Sequence, residues 1–175
     1  MKNFLIIAAV IVAVVIGVSF NRGTRQKNSS DEATLNIGVS LPLTGNAAHF
    51  GESARQGVEL AAEELRNKNP RLSFQYHVED NAFNAKTAVD VYQKLHNTNN
   101  INALITGTSP ATMASKPLAD RDTVLQMAIF STAPAYSSPN DLSYRISTSA
   151  DKEVGAMIRY LEQTNTKRVS LIYNG

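Results

Sequence analysis

From Leu35 onward the chain switches back and forth between two hydrophobic periods, and this limits it to a small set of folds. Leu35, Ile37, Val39 and Leu41 recur at a spacing of two, as in a half-buried strand. Asn36, Gly38 and Ser40 take the other side, where a helix can pack closely. Ala54, Val58, Ala61, Ala62 and Leu65 then form a stripe at helical spacing, within a helix expected from about Glu52 to Asn67 that Asn69-Pro70 stops. The alternation continues. A strand is expected over Leu72 to Val78, then a helix capped by Asn84 with Ala85, Ala88, Val89, Tyr92 and Leu95 inward. A short strand follows at Ala103 to Ile105. The next helix opens at Ser109-Pro110, and Pro117 is expected to bend or end it. Another strand is expected near Val124 to Phe130, a turn-rich loop over Ser131 to Asn140, and a short extended piece at Tyr144 to Ile146. Last come a helix from Ser149 with Val154, Met157, Ile158 and Leu161 inward, and a strand at Val169 to Tyr173. Strands alternating with helices of this length predict an α/β fold: right-handed crossovers and a parallel sheet sandwiched between helices.

The first 33 residues do not share this pattern. Phe4 to Phe20 is an almost unbroken apolar run after Lys2. As a helix it would extend ~26 Å, slightly short of the ~30 Å hydrocarbon core of a bilayer. It reads as a cleaved signal peptide or a retained membrane anchor. The anchor is favoured, because the run is long for a signal core and Gly17-Val18-Ser19 is not Ala-x-Ala. Arg22, Arg25 and Lys27 after the run would by themselves hold that side in the cytoplasm. A long exported domain translocates largely regardless of such charges, so residues 34 onward are placed outside. Asn21 to Ala33 is polar and aperiodic, a flexible tether.

Several function classes fall away. The chain has no cysteine, which removes a disulfide framework, a thiol nucleophile, a zinc–thiolate site and a lipid-modified cysteine after the leader. The net charge is +2 and the basic residues form no stripe, so no nucleic-acid partner is expected. His49, His77 and His96 lack metal-ligand spacing. Neither a Gly-x-Ser-x-Gly elbow nor a Gly-x-Gly-x-x-Gly loop after the first strand is present, so no nucleophilic hydrolase and no dinucleotide cofactor is expected. Glu79 and Asp80 are neighbours on a strand and point to opposite sides, a poor acid–base pair.

In a parallel sheet, ligands bind outside the carboxyl ends of the strands. Four segments leave those ends: Pro42 to Gly51, Asp80 to Asn84, Thr106 to Ser109 and Ser131 to Tyr136. Thr108 and Ser109 stand at a helix start, where free amides and the helix dipole favour an anion such as a carboxylate. Ser109 could equally serve only as a cap. Phe50 could line an apolar pocket or staple the helix start. Ala133, Pro134 and Ala135 are small enough to let a ligand approach backbone carbonyls, or are plain turn residues.

An ordered series of segments resembles a known family. It begins with Ile37-Gly38-Val39-Ser40-Leu41-Pro42-Leu43-Thr44-Gly45, Ala48-His49-Phe50-Gly51 and Gly57-Val58-Glu59-Leu60-Ala61. Glu79-Asp80-Asn81, Ile105 to Ser109, Ser131-Thr132-Ala133, Tyr144-Arg145-Ile146 and Arg168 to Tyr173 follow in order. Together they resemble type I periplasmic binding proteins, closest to the leucine/isoleucine/valine-binding receptors of ABC importers. The resemblance implies a two-lobed Venus-flytrap fold, with lobe one at 34–148 and the start of lobe two at 149–175. It implies ligand contacts at Phe50, Thr108, Ser109, Thr132, Ala133 and Ala135, an amino acid or similar small carboxylate as ligand, and an ABC permease as partner. Pro134 departs from the small polar residue usual there. Family members are longer, so the chain reads as a fragment in which lobe two is barely begun. The same fold also serves as the sensing domain of membrane-anchored signalling receptors, which remains the alternative function. A small enzyme on such a sheet is disfavoured by the missing catalytic set.

Overall fold

The computed structural model describes residues 34–172; the apolar run 4–20 and the tether lie outside them. Five strands form one sheet: β1 (Leu35–Leu41), β2 (Phe74–Asp80), β3 (Ala103–Thr106), β4 (Leu125–Ala128) and β5 (Ser143–Arg145). Their order is β2-β1-β3-β4-β5, and every neighbouring pair is parallel. Helices α1 (Ala48–Lys68), α2 (Ala85–Asn99) and α3 (Ser109–Arg121) provide the crossovers, and α4 (Ala150–Gln163) follows β5. This is the parallel α/β sandwich predicted from the alternating periods.

The register divides the sheet into two faces. Ile37, Tyr76, Ile105 and Met127 share one, and Gly38, His77, Leu104 and Gln126 share the other. The second face is the packed one. Val91, Tyr92 and Leu95 of α2 and Ala119 of α3 join Ile101, Leu104 and Val124 in a single buried cluster. Gly38 is what lets α2 approach. A Cβ there would lie 3.0 Å from Ile101 Cδ1 and 3.1 Å from Leu95 Cδ1, so the close packing expected beside Gly38 is present. On the first face α1 stands off. Its stripe of Ala54, Val58, Ala61, Ala62 and Leu65 bounds an apolar hollow of about 420 Å³ over Ile37, Tyr76, Ile105 and Met127. Only Ala62 of that stripe is fully buried.

Local signals explain most element ends. Asn84 caps α2 as predicted, its side chain accepting from the amides of Lys86 (2.9 Å) and Thr87 (3.0 Å). Asn100, in the left-handed region, ends it. Helix α1 begins at Ala48, four residues before the predicted start, so Gly51 is helical and not part of a loop. A Cβ on Gly51 would sit 2.0 Å from the Pro42 carbonyl oxygen, so glycine is required by the helix lying directly on the strand exit. Pro117 lies inside α3, which continues to Arg121; the proline does not end it.

The strand predicted at Val169 to Tyr173 is not formed over its described part. Residues 166–172 carry no regular structure, and Leu171 and Ile172 are 84% and 99% exposed. A strand exists only against a neighbour, and among the described residues none is offered here. Helix α4 forms where expected, but Val154, Met157 and Ile158 of its stripe are at least half exposed, and Leu161 alone of the four is partly covered. Among the described residues no helix is long and apolar enough to cross a membrane.

The two tight glycines should respond differently to alanine. Gly38→Ala meets flexible side-chain tips and is expected to cost about 1 kcal/mol, whereas Gly51→Ala meets backbone and should cost about 3 kcal/mol or more. Denaturant unfolding of both variants measures the difference.

Candidate functional site

Because all five strands run the same way, the loops after β1, β2, β3 and β4 emerge at one edge of the sheet. The sheet order reverses at β1, which lies between β2 and β3, and a crevice opens at that point outside the carboxyl ends. A hollow of about 320 Å³ occupies this edge, lined by Phe50, Phe83, Thr108, Ser109, Pro110 and Phe130. Each of the four strand exits contributes to it: Phe50 from the first turn of α1, Phe83 from the β2–α2 loop, Thr108 to Pro110 from the β3–α3 junction, and Phe130 from beyond β4.

The β3–α3 junction is the polar part. Thr108, not Ser109, is the cap residue of α3, and it sits at φ 70, ψ 145 without a side-chain capping bond. Ser109 is the first helical residue, which frees its hydroxyl from capping. The Thr132 amide donates to Ser109 Oγ at 3.3 Å and the Ser131 hydroxyl at 3.5 Å. Since both contacts are received, the Ser109 proton remains available to a further acceptor. Thr108 is 7% exposed, and its Oγ1 has no partner among the described residues. Two hydroxyl donors and the amino-terminal end of α3 therefore meet at the hollow, which no charged side chain lines.

The surrounding loops are tied down. Asp80 receives the amides of Leu43 and Ala82, both at 2.8 Å, and the Thr44 hydroxyl at 2.5 Å, which joins the β1 and β2 exits. Burial raises its pKa, but the bonds from Thr44, Ala82 and Leu43 outweigh this and hold the carboxyl below its ordinary range. Asp80 is thus a loop clasp. Asn81, fully buried, bonds Ser40 Oγ at 3.1 Å and receives the Phe83 amide at 3.0 Å. Beyond β4, Tyr136 is fully buried and donates to the Gln126 carbonyl at 3.1 Å. Lys116 reaches Asp141 and Ser143 Oγ at 2.8 Å and Asp120 at 3.0 Å, pinning the end of this loop beneath α3.

The structure brings Phe50, Thr108 and Ser109 together at the hollow, and Thr132 joins them through its amide bond to Ser109 Oγ. Ala133 and Ala135 do not line it. They lie on the adjoining turn that contains the 3-10 segment Pro134–Tyr136. Phe83 and Phe130 were missed by sequence reasoning. The Phe130 ring packs over Gly107, where a Cβ would lie 3.3 Å away, and its centroid is 6.0 Å from that of Phe50. Two large apolar residues flanked by turn formers were the available signal. Among the described residues no cluster of three or more His, Cys, Asp or Glu could hold a metal ion.

Asp80→Asn should lower stability by about 2 kcal/mol at neutral pH. A carboxylate with a depressed folded pKa stabilises fully above its unfolded value of ~3.9, and that contribution is lost as pH falls through the lower folded value. The gap between wild type and variant should therefore close on acidification, which unfolding curves at a series of pH values would record.

Comparison with known proteins agrees with this architecture. A family profile described as periplasmic binding protein matches residues 34–175. No curated protein matches the chain. Among solved structures, an ABC-transporter solute-binding protein of Rhodopseudomonas palustris in complex with 3,4-dihydroxybenzoic acid superposes with TM-score 0.68 at 19% identity, covering 77% of this chain and 37% of that one. The branched-chain amino acid transporter substrate-binding protein LivJ of Streptococcus pneumoniae, in complex with isoleucine, gives TM-score 0.62 at 21% identity, with coverages of 66% and 34%. An extracellular ligand-binding receptor of Desulfohalobium retbaense gives 0.63 at 26% identity, with coverages of 73% and 23%. The chain thus spans roughly a quarter to a little over a third of the length of these structures. Over residues 34–175 the chain belongs to the periplasmic binding protein family, with the fold of the type I, leucine/isoleucine/valine-binding members.

Proposed function

We propose that this chain is the first lobe, with the start of the second, of an extracytoplasmic solute-binding protein that captures an amino acid or similar small carboxylate for an ABC importer. One observation carries the reading: Ser109 Oγ accepts both of its contacts and keeps its proton, beside the unpartnered Thr108 hydroxyl, at a helix start that opens into the hollow. A carboxylate placed there accepts from the two hydroxyls and meets the positive end of α3. Phe50 flanks the guest and Thr132 holds Ser109. Ala133 and Ala135, on the next turn, contribute backbone toward an ammonium group. On this reading 34–148 forms lobe one and α4, with its exposed Val154, Met157 and Ile158, enters lobe two. The apolar run 4–20 delivers the protein to the outer face and anchors it there.

A thermal-shift screen of the full-length protein against amino acids and small carboxylates tests this directly. A true ligand at a hundred times its Kd stabilises by about 2.7 kcal/mol. Ser109→Ala should weaken the hit about tenfold by removing one hydrogen bond to a charged group. An unchanged affinity would contradict the assignment of the site.

A further inference from the structure

The hollow's polar groups account for a carboxylate but not for the rest of its lining, which is three phenylalanines and Pro110. Phe50, Phe83 and Phe130 are 54%, 49% and 39% exposed and surround one space of about 320 Å³. Large apolar side chains gathered this way at a concave edge mark a binding surface, since scattered exposure would not converge on one hollow. Phe50 and Phe130 already stand in a tilted aromatic arrangement, centroids 6.0 Å apart at 56°. Phe83 is held at the rim against local preference. It has φ 57 and follows Ala82 at φ 49, two consecutive non-glycine residues in the left-handed region. The buried Asn81 side chain, receiving the Phe83 amide at 3.0 Å, fixes that conformation. A bulky residue is thus kept in an unfavourable backbone state with about half its surface in solvent, more than burial alone would call for.

We propose that Phe83 and Phe130, with Phe50, determine specificity, and that the guest is an aromatic carboxylate whose ring lies among the three phenylalanines while its carboxylate meets Thr108 and Ser109. The proposal rests on the carboxylate-capture reading above and narrows it. Ring–ring contacts favour aromatic over aliphatic groups of equal size. No carboxylate side chain lines the hollow, so an ammonium group finds no charged partner among these six residues and the ring contacts weigh more in the choice of guest.

Isothermal titration of the full-length protein with 4-hydroxybenzoate, phenylalanine, isoleucine, alanine and glutamate tests it. The aromatic acids are expected to bind at least about tenfold tighter than isoleucine. Phe83→Ala should weaken the aromatic acids about tenfold and Phe83→Leu by nearly as much, since leucine restores bulk but not the ring. Phe130→Ala should act in the same direction; because Phe130 also packs on Gly107, the Phe83 variants decide the matter where that variant unfolds. Isoleucine, alanine or glutamate binding as tightly as the aromatic acids, or an aromatic affinity untouched by Phe83→Ala, overturns this inference and leaves carboxylate capture standing. If none of the five binds, the carboxylate reading fails and this inference falls with it.

Discussion

The parallel register of β1 between β2 and β3 is the constraint from which the rest follows. It forces every crossover to return to the same starting edge, so the residues after β1, β2, β3 and β4 collect at the opposite edge. The sheet itself stays continuous through β1, but the strand order reverses there, so the connections leaving β1 and β3 part to opposite faces and open a crevice outside their carboxyl ends. Gly38 at the centre of β1 permits the close approach of α2 on one face, and Gly51 permits α1 to lie on the β1 exit. Between them these contacts fix where Phe50 and the β3–α3 junction stand relative to one another.

Around that crevice the loops behave as parts of one rim. Asp80 clasps the β1 and β2 exits, Asn81 joins the β2 exit to Ser40, and Ser109 joins the β3–α3 junction to the segment beyond β4. The Lys116–Asp141 pair and the buried Tyr136 hold the far side of the last loop. A rim fixed by internal hydrogen bonds presents its donors already oriented, which reduces the ordering a ligand must impose. A larger hollow than that at the carboxyl edge lies under α1. It lies on a face of the sheet instead of at the carboxyl edge, and its lining is almost wholly apolar, with Tyr76 its one hydroxyl-bearing residue, so it offers little to orient a polar guest.

Much of this was legible in the residues. The period-two run of β1, the Gly38 approach, the Asn84 cap and the sharing of one edge by four loops follow from local rules. What was not legible depended on long-range geometry. Gly45 and Asn46 read as turn signals and do form the turn, but Gly51, read the same way, lies inside α1, where it answers to the Pro42 carbonyl. Thr108 takes a positive φ that its residue type does not announce, which moved the cap back by one position. Phe83 was passed over because two successive left-handed residues in Ala82-Phe83 have no sequence signature. The alternation at Val169 to Tyr173 was read correctly as apolar, but a strand needs a partner, and the described residues supply none.

The most direct measurement is an amide NMR titration of the full-length protein with whichever carboxylate raises its melting temperature. The account predicts that the largest shifts fall on Thr108, Ser109, Ala111 and Thr132, with Phe83 and Phe130 following, at one edge of the sheet. Shifts concentrated instead on α1 and the face beneath it, with the β3–α3 junction unmoved, would contradict it.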